Sequence, residues 1–182
     1  YGGKGLMRDW RGMYTQMLVD AAAEGTLSNP REIVSVPDFF ERALPDDASS
    51  VWDHSVFQPD VILICIGQND FNNAYIGATD YAQAYVKFID RIHQVHPLAP
   101  IVIMSSPMAE RSRTDGTQPR GAMHELALSL VQQHYLHLGE SFVTPFFMAK
   151  NDGTMLDSHP IASQQRAMAD ELSPLISALM HW

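Results

Sequence analysis

An uninterrupted apolar run from Val61 to Ile66, bounded by Pro59 and Gly67, constrains this chain more than any other feature. A continuous rather than alternating run predicts a parallel strand covered on both faces. Ile101-Val102-Ile103-Met104 repeats the pattern. Between the two, Tyr81, Tyr85, Phe88, Ile92 and Val95 form one stripe of a helix over 79–96, with Thr79 as its N-cap. Strands separated by helices of this length imply right-handed crossovers, a mostly parallel sheet and helices on both of its faces.

The remaining segments fit the same alternation. Met13, Met17, Leu18 and Ala21 recur at helical spacing up to Gly25, a residue type common just past a helix end. Residues 33–36 read as a short strand, followed after Pro37 by a short helix through Phe39, Phe40 and Leu44. A further helix carries Met123, Leu126, Ala127, Leu130, His134 and Leu138, and a strand follows at about 141–144. The last helix, about 161–180, presents Met168, Leu172, Leu175, Ile176 and Leu179, with Pro174 as a candidate kink.

A length of 182 residues favours one compact domain spanning 1–182, and no repeat or low-complexity linker divides it. Twelve Lys and Arg against 21 Asp and Glu leave a net charge of −9, which repels nucleic-acid phosphates and anionic lipid unless a local basic patch intervenes, and none is evident. No stretch approaches the roughly 20 apolar residues of a membrane-spanning helix. The single cysteine, Cys65, cannot form an internal disulfide and is expected to be a buried, inert thiol.

In a parallel sheet the functional loops lie beyond the carboxyl ends of the strands. One such loop opens with Gly67-Gln68-Asn69-Asp70. Glycine permits an unusual turn directly after the strand, the Asn69 amide is a donor suited to a developing oxyanion, and Asp70 can accept bonds from loop backbone. Another contains Asp157-Ser158-His159-Pro160 just before the last helix. In extended chain, residues two apart project to the same side, so Asp157 can orient the His159 imidazole as a general base. Taken alone, the first motif also reads as an Asx-type turn without chemistry and the second as a helix-entry cap.

Together and in this order, the two motifs resemble blocks III and V of the SGNH (GDSL-like) hydrolases. Gly2-Gly3-Lys4-Gly5-Leu6-Met7-Arg8-Asp9, the segment Val36 to Leu44, Trp52-Asp53, Gln58-Pro59-Asp60, and Met168-Ala169 narrow the resemblance to carbohydrate esterase family 2. It implies a three-layer α/β/α, flavodoxin-like fold and a serine esterase that removes O-acetyl groups from xylan or other plant polysaccharides, with no cofactor and no metal. By the resemblance, His159 is the general base, Asp157 its orienting acid, and Asn69 with the backbone N–H of Gly3 the oxyanion hole. The implied substrate is an acetylated oligo- or polysaccharide, and the implied setting is secreted or periplasmic. A lipase of the same superfamily and a sugar-binding protein without catalysis are the competing expectations.

The family's nucleophile lies in a Gly-Asp-Ser motif upstream of the Gly-Lys-Gly-Leu segment, and this sequence contains no Gly-Asp-Ser. The nucleophile is therefore unassigned. Because the first strand of a flavodoxin-like sheet is interior, its absence would leave backbone groups unpaired. A preceding segment of the same polypeptide, carrying that strand and the serine, is expected to complete the sheet. The pairs His93/His96 and His134/His137 lack the further ligands of a zinc set and are expected at the surface or rim. Trp10, Trp52 and Trp182 are candidates for sugar stacking, with partial burial the commoner fate of tryptophan.

Overall fold

The computed structural model describes residues 4–7, 23–25, 35–45, 47–72, 76–108, 120–149 and 159–182. Its elements are α1 (Val36–Phe40), β1 (Ile62–Ile64), α2 (Gln68–Asn72), α3 (Ala78–Val95), β2 (Ile101–Met104), α4 (Arg120–His137), β3 (Val143–Phe146) and α5 (Ala162–Met180). Strand and helix alternate as the apolar pattern requires. The three strands form a parallel sheet in the order β1-β2-β3, with Ile62 opposite Ile101 and Ile101 opposite Val143. Among the described residues β3 is an outer strand, so the N–H that Pro145 lacks breaks no ladder there.

One core lies between the sheet and helices α3 and α4. Tyr81, Tyr85 and Ile89 of α3 are fully buried there with Ile101 and Ile103 of β2 and Leu128 and Val131 of α4. Each large apolar side chain so enclosed contributes about 1.5–3 kcal/mol. Tyr135 of α4 donates its hydroxyl to Asp90 Oδ1 at 2.8 Å and to the Val86 carbonyl at 3.2 Å, tying the two helices together. A smaller cluster lies on the opposite face, where Met168, Leu172, Leu175, Ile176 and Leu179 of α5 cover Val102, Met104 and Met148. The expected stripe of the last helix is the one that packs.

Several expectations are corrected. Helix α3 begins one residue early, at Ala78 with Gly77 as its cap, so Thr79 lies inside the helix. The buried face of α4 is Gly121, His124, Ala127, Leu128, Val131 and Tyr135, whereas Leu126 and Leu138 are exposed. Two polar aromatics occupy that face in place of aliphatics, which rotates it away from the stripe that aliphatic counting selects. Strand β3 falls two residues later than expected, at Val143–Phe146.

Strand β1 is covered on one face only: Ile64 is buried, Leu63 is 44% exposed, and Cys65 is exposed rather than buried. The apolar side chains of α5 lie over β2, leaving this face of β1 open. Crowding around the Cys65 sulfur nevertheless raises its thiol pKa, which disfavours the reactive thiolate. The first predicted helix lies outside the described residues except at its end, where Gly25 takes a φ of +69°, as a helix-terminating glycine does. Of residues 33–36, only Ser35 and Val36 are described, and Val36 opens helix α1.

Candidate active site

The loop after β1 is built around Gly67, whose φ is +118°. A β-carbon there would collide with His124 Nε2 and stand 2.8 Å from the Tyr81 hydroxyl, so both backbone angle and space demand glycine. From this turn α2 starts at once, with the Phe71 N–H bonded to the Gly67 carbonyl at 3.0 Å. Asn69 and Asp70 therefore project from the first turn of a short helix fixed to the end of a sheet strand.

Both side chains bind the same distant segment. Asn69 donates from Nδ2 to the Lys4 carbonyl at 2.7 Å. Asp70 is completely buried and accepts from the Leu6 N–H at 2.9 Å and the Met7 N–H at 2.7 Å, one on each carboxylate oxygen. Charge-assisted bonds of this kind are worth about 1.5–3 kcal/mol each. They pin residues 4–7 beside the Asn69 amide. That amide carries two N–H groups, and among the described residues only the Lys4 carbonyl takes one, so the other suits a ligand oxygen.

Behind the turn, His124 and Tyr81 are 1% and 0% exposed. Burial holds the His124 imidazole at a pKa of about 4, against an ordinary 6.5, opposed by its bond to the Ile66 carbonyl. Burial first, and the Asp70 charge second, push the Tyr81 phenol well above its usual value. Both groups are uncharged at neutral pH. Phe71 packs against both, its ring 4.9 Å from Tyr81 and 5.2 Å from His124, and those two rings meet edge-on at 5.6 Å. Sequence reading placed Tyr81 in the α3 core and missed His124, because one histidine on a helix carries no spacing signal.

His159 is exposed and stands just before α5, in the connection that leaves β3 at its carboxyl end. Asn69 follows β1, which runs parallel to β3 in the same sheet, so both connections leave the sheet on the same side. Asp157 and Gly3 lie outside the described residues, as do Trp10 and the loop containing Arg111 and Arg113. Among the described residues no group of three His, Cys, Asp or Glu side chains is placed to hold a metal ion.

A second polar cluster joins α1 to α3. Arg91 forms a two-pronged pair with Glu41 at 2.7 and 2.9 Å, and its guanidinium lowers the Glu41 pKa. His54 stacks on Phe40 and approaches Glu41 at 3.4 Å, with His96 against it edge-on at 5.5 Å. His96, expected at the rim, is 6% exposed, and burial lowers its pKa. His93 lies flat on Phe142 with ring centres 3.8 Å apart, while His134 and His137 are exposed. Trp52 and Trp182 are 38% and 79% exposed. A groove of about 790 Å³ runs from Leu6 and Met7 along α3, past Gln83 and Lys87, to the Glu41–Arg91 pair.

The family model for GDSL-like lipases and acylhydrolases matches residues 14–172, nearly the whole chain. This chain belongs to the GDSL-like lipase/acylhydrolase family. Within that family it is similar, at 28% identity over 183 aligned residues, to an acetylxylan esterase/glucomannan deacetylase of Cellvibrio japonicus. That alignment covers all of this chain and 44% of the relative. The structure of a family two carbohydrate esterase from the same organism superposes with a TM-score of 0.74, covering 100% of this chain and 46% of the other. A family two esterase from Clostridium thermocellum in complex with cellohexaose gives a TM-score of 0.77 at 22% identity, covering 99% and 48%, a likeness of fold. This GDSL-like chain thus has the α/β fold with a parallel sheet that the sequence predicts, and it spans about half the length of the proteins it matches.

Proposed function

We propose that this chain supplies the base and the oxyanion donors of a serine esterase that removes O-acetyl groups from carbohydrates, acetylated xylan or a related polysaccharide among them. The single observation that carries the reading is the Asn69–Asp70 clamp on Lys4, Leu6 and Met7. It holds a carboxamide donor beside the backbone of residues 4–7 at a strand end, which suits an oxyanion hole. Similarity to an acetylxylan esterase supports the substrate class.

In the proposed cycle a serine hydroxyl attacks the acetyl carbonyl while His159 accepts its proton and Asp157 holds the imidazole. The negative charge formed on the carbonyl oxygen is received by the second N–H of Asn69 and the backbone N–H of Gly3. Collapse expels the sugar alkoxide, which takes the proton from His159. Water, deprotonated by His159, then attacks the acetyl-serine, and as the ester C–O bond breaks the serine oxygen takes that proton back from His159 and acetate leaves. The serine comes from a segment preceding Tyr1, whose strand pairs with β1 along the edge that has no partner strand among the described residues. The open Leu63 and Cys65 face of that strand is consistent with further chain packing there. A substrate of this size places the enzyme outside the cytoplasm, secreted or periplasmic.

The test is active-site labelling of the complete gene product with a fluorophosphonate, together with hydrolysis of acetyl and long-chain p-nitrophenyl esters. The proposal requires labelling of one serine upstream of Tyr1, loss of labelling in His159→Ala, and preference for the acetyl ester. Asn69→Ala lowers kcat by about 10²–10³ without a matching rise in KM, the effect of losing one oxyanion donor. Preference for long-chain esters means a lipase, and sugar binding without labelling means a binding protein; either result defeats the proposal.

A further inference from the structure

We propose that His124 is a positioning residue that sets the aim of the Asn69 amide by holding the Ile66–Gly67 turn. The inference rests on the esterase reading for its kinetic consequence, and on geometry alone for the positioning.

His124 reaches the turn from α4, 57 residues beyond Gly67, and contacts three of its parts. An imidazole N–H bonds the Ile66 carbonyl. Since Nε2 has no partner, that donor is Nδ1. The Nε2–Cε1 edge fills the place of the missing Gly67 β-carbon, and the ring face meets Phe71. Asn69 lies between Gly67 and Phe71, so the residues on both sides of it rest against one imidazole. Its own side chain is held on the other side by the Lys4 carbonyl.

Packing alone does not account for a histidine here. Its Nε2 is buried without a partner, and so is the Tyr81 hydroxyl beside it. A buried polar atom left unpaired costs about 1–3 kcal/mol, a cost that a leucine at 124 would not incur. What leucine cannot supply is the Nδ1–H donor to Ile66. With its pKa near 4 the ring remains neutral at working pH, so it keeps one N–H and adds no charge beside the oxyanion.

The choice of variants follows from shape. Asparagine places its Nδ2 close to where histidine places Nδ1 and keeps the donor, whereas leucine has nearly the same outline and lacks it. In the complete gene product, His124→Leu lowers kcat on p-nitrophenyl acetate by about 10- to 100-fold with KM changed less than about twofold, and His124→Asn recovers most of the loss. In an Asn69→Ala background His124→Leu has no further effect, because the donor it would misplace is gone. Stability moves the other way, with His124→Leu melting no lower than His124→Asn. An equal loss of kcat in the Asn69→Ala background, or activity that follows melting temperature across the variants, overturns the proposal.

A second readout does not depend on catalysis. By NMR, solvent exchange of the Asn69 side-chain amide quickens about tenfold in His124→Leu and not in His124→Asn, a change equivalent to about 1.4 kcal/mol in the opening equilibrium. Unchanged exchange in His124→Leu also overturns the proposal. If Asn69→Ala leaves kcat intact, the esterase reading fails, and the amide measurement still decides the positioning by itself.

Discussion

Acidification should weaken this protein through one identifiable side chain. His124 is 1% exposed in the folded chain with its pKa lowered to about 4, and in the unfolded chain it returns to the ordinary 6.5. Between those values the unfolded state binds a proton that the folded state refuses. The stabilisation is therefore complete above pH 6.5 and is lost as the pH falls toward 4. At about 1.4 kcal/mol per pH unit the total is about 3 kcal/mol, a large share of the 5–15 kcal/mol typical of a domain. His96 is also lowered by burial and titrates in the same direction. Glu41, held below 4.5 by Arg91, begins to matter only at the acid end of the range. Urea unfolding of wild type and His124→Leu, followed by tryptophan fluorescence from pH 7 to pH 4, separates these contributions because only the first differs between the two proteins. The stability difference should shift by about 3 kcal/mol in favour of leucine as the pH falls. Parallel curves, constant to about 0.5 kcal/mol, would refute the claim that the folded state holds this imidazole neutral.

Other outcomes follow from the same neighbourhood. Gly67→Ala combines a φ of +118° with a collision against His124 and Tyr81; a loss of at least about 3 kcal/mol in denaturant unfolding, or failure to fold, is expected. Asp70→Asn turns an amide NH₂ toward one of two backbone donors, so stability should fall by about 2–4 kcal/mol and the melting temperature by about 4–16 °C. Tyr81→Phe removes a buried hydroxyl that has no partner, and calorimetry should find it neutral or stabilising by up to about 2 kcal/mol, contrary to the usual sign for a core change. Arg91→Ala breaks a pair whose members are 40% and 37% exposed; its cost should stay below about 1 kcal/mol and shrink further in salt.

The parts legible in the sequence are those where apolar side chains alone decide the structure. The stripe of Tyr81, Tyr85, Phe88 and Ile92 fixes α3, and the runs at 61–66 and 101–104 fix two strands and their parallel pairing. Helix α4 was legible as a helix but not in its rotation, since its inward face uses His124 and Tyr135 while leucines point to solvent. The exposure of Cys65 could not be read from its own run, because covering β1 depends on how far α5 reaches across the sheet. Within the candidate site, Gly67, Asn69 and Asp70 announce themselves as a motif. Their partners do not: Lys4, Leu6 and Met7 take part through main-chain groups, which every residue possesses and no pattern reveals. The burial of His96 depends likewise on Phe40 and His54 from a distant segment.

The clamp joins residues 63 to 65 positions apart. Closing so long a loop costs entropy that local helix formation never meets, and contacts of this span form late in folding. During refolding from urea, α-helical circular dichroism should therefore recover before Leu6 and Met7 gain amide protection. A newly made chain would spend that interval with its helices formed and its oxyanion site still unassembled.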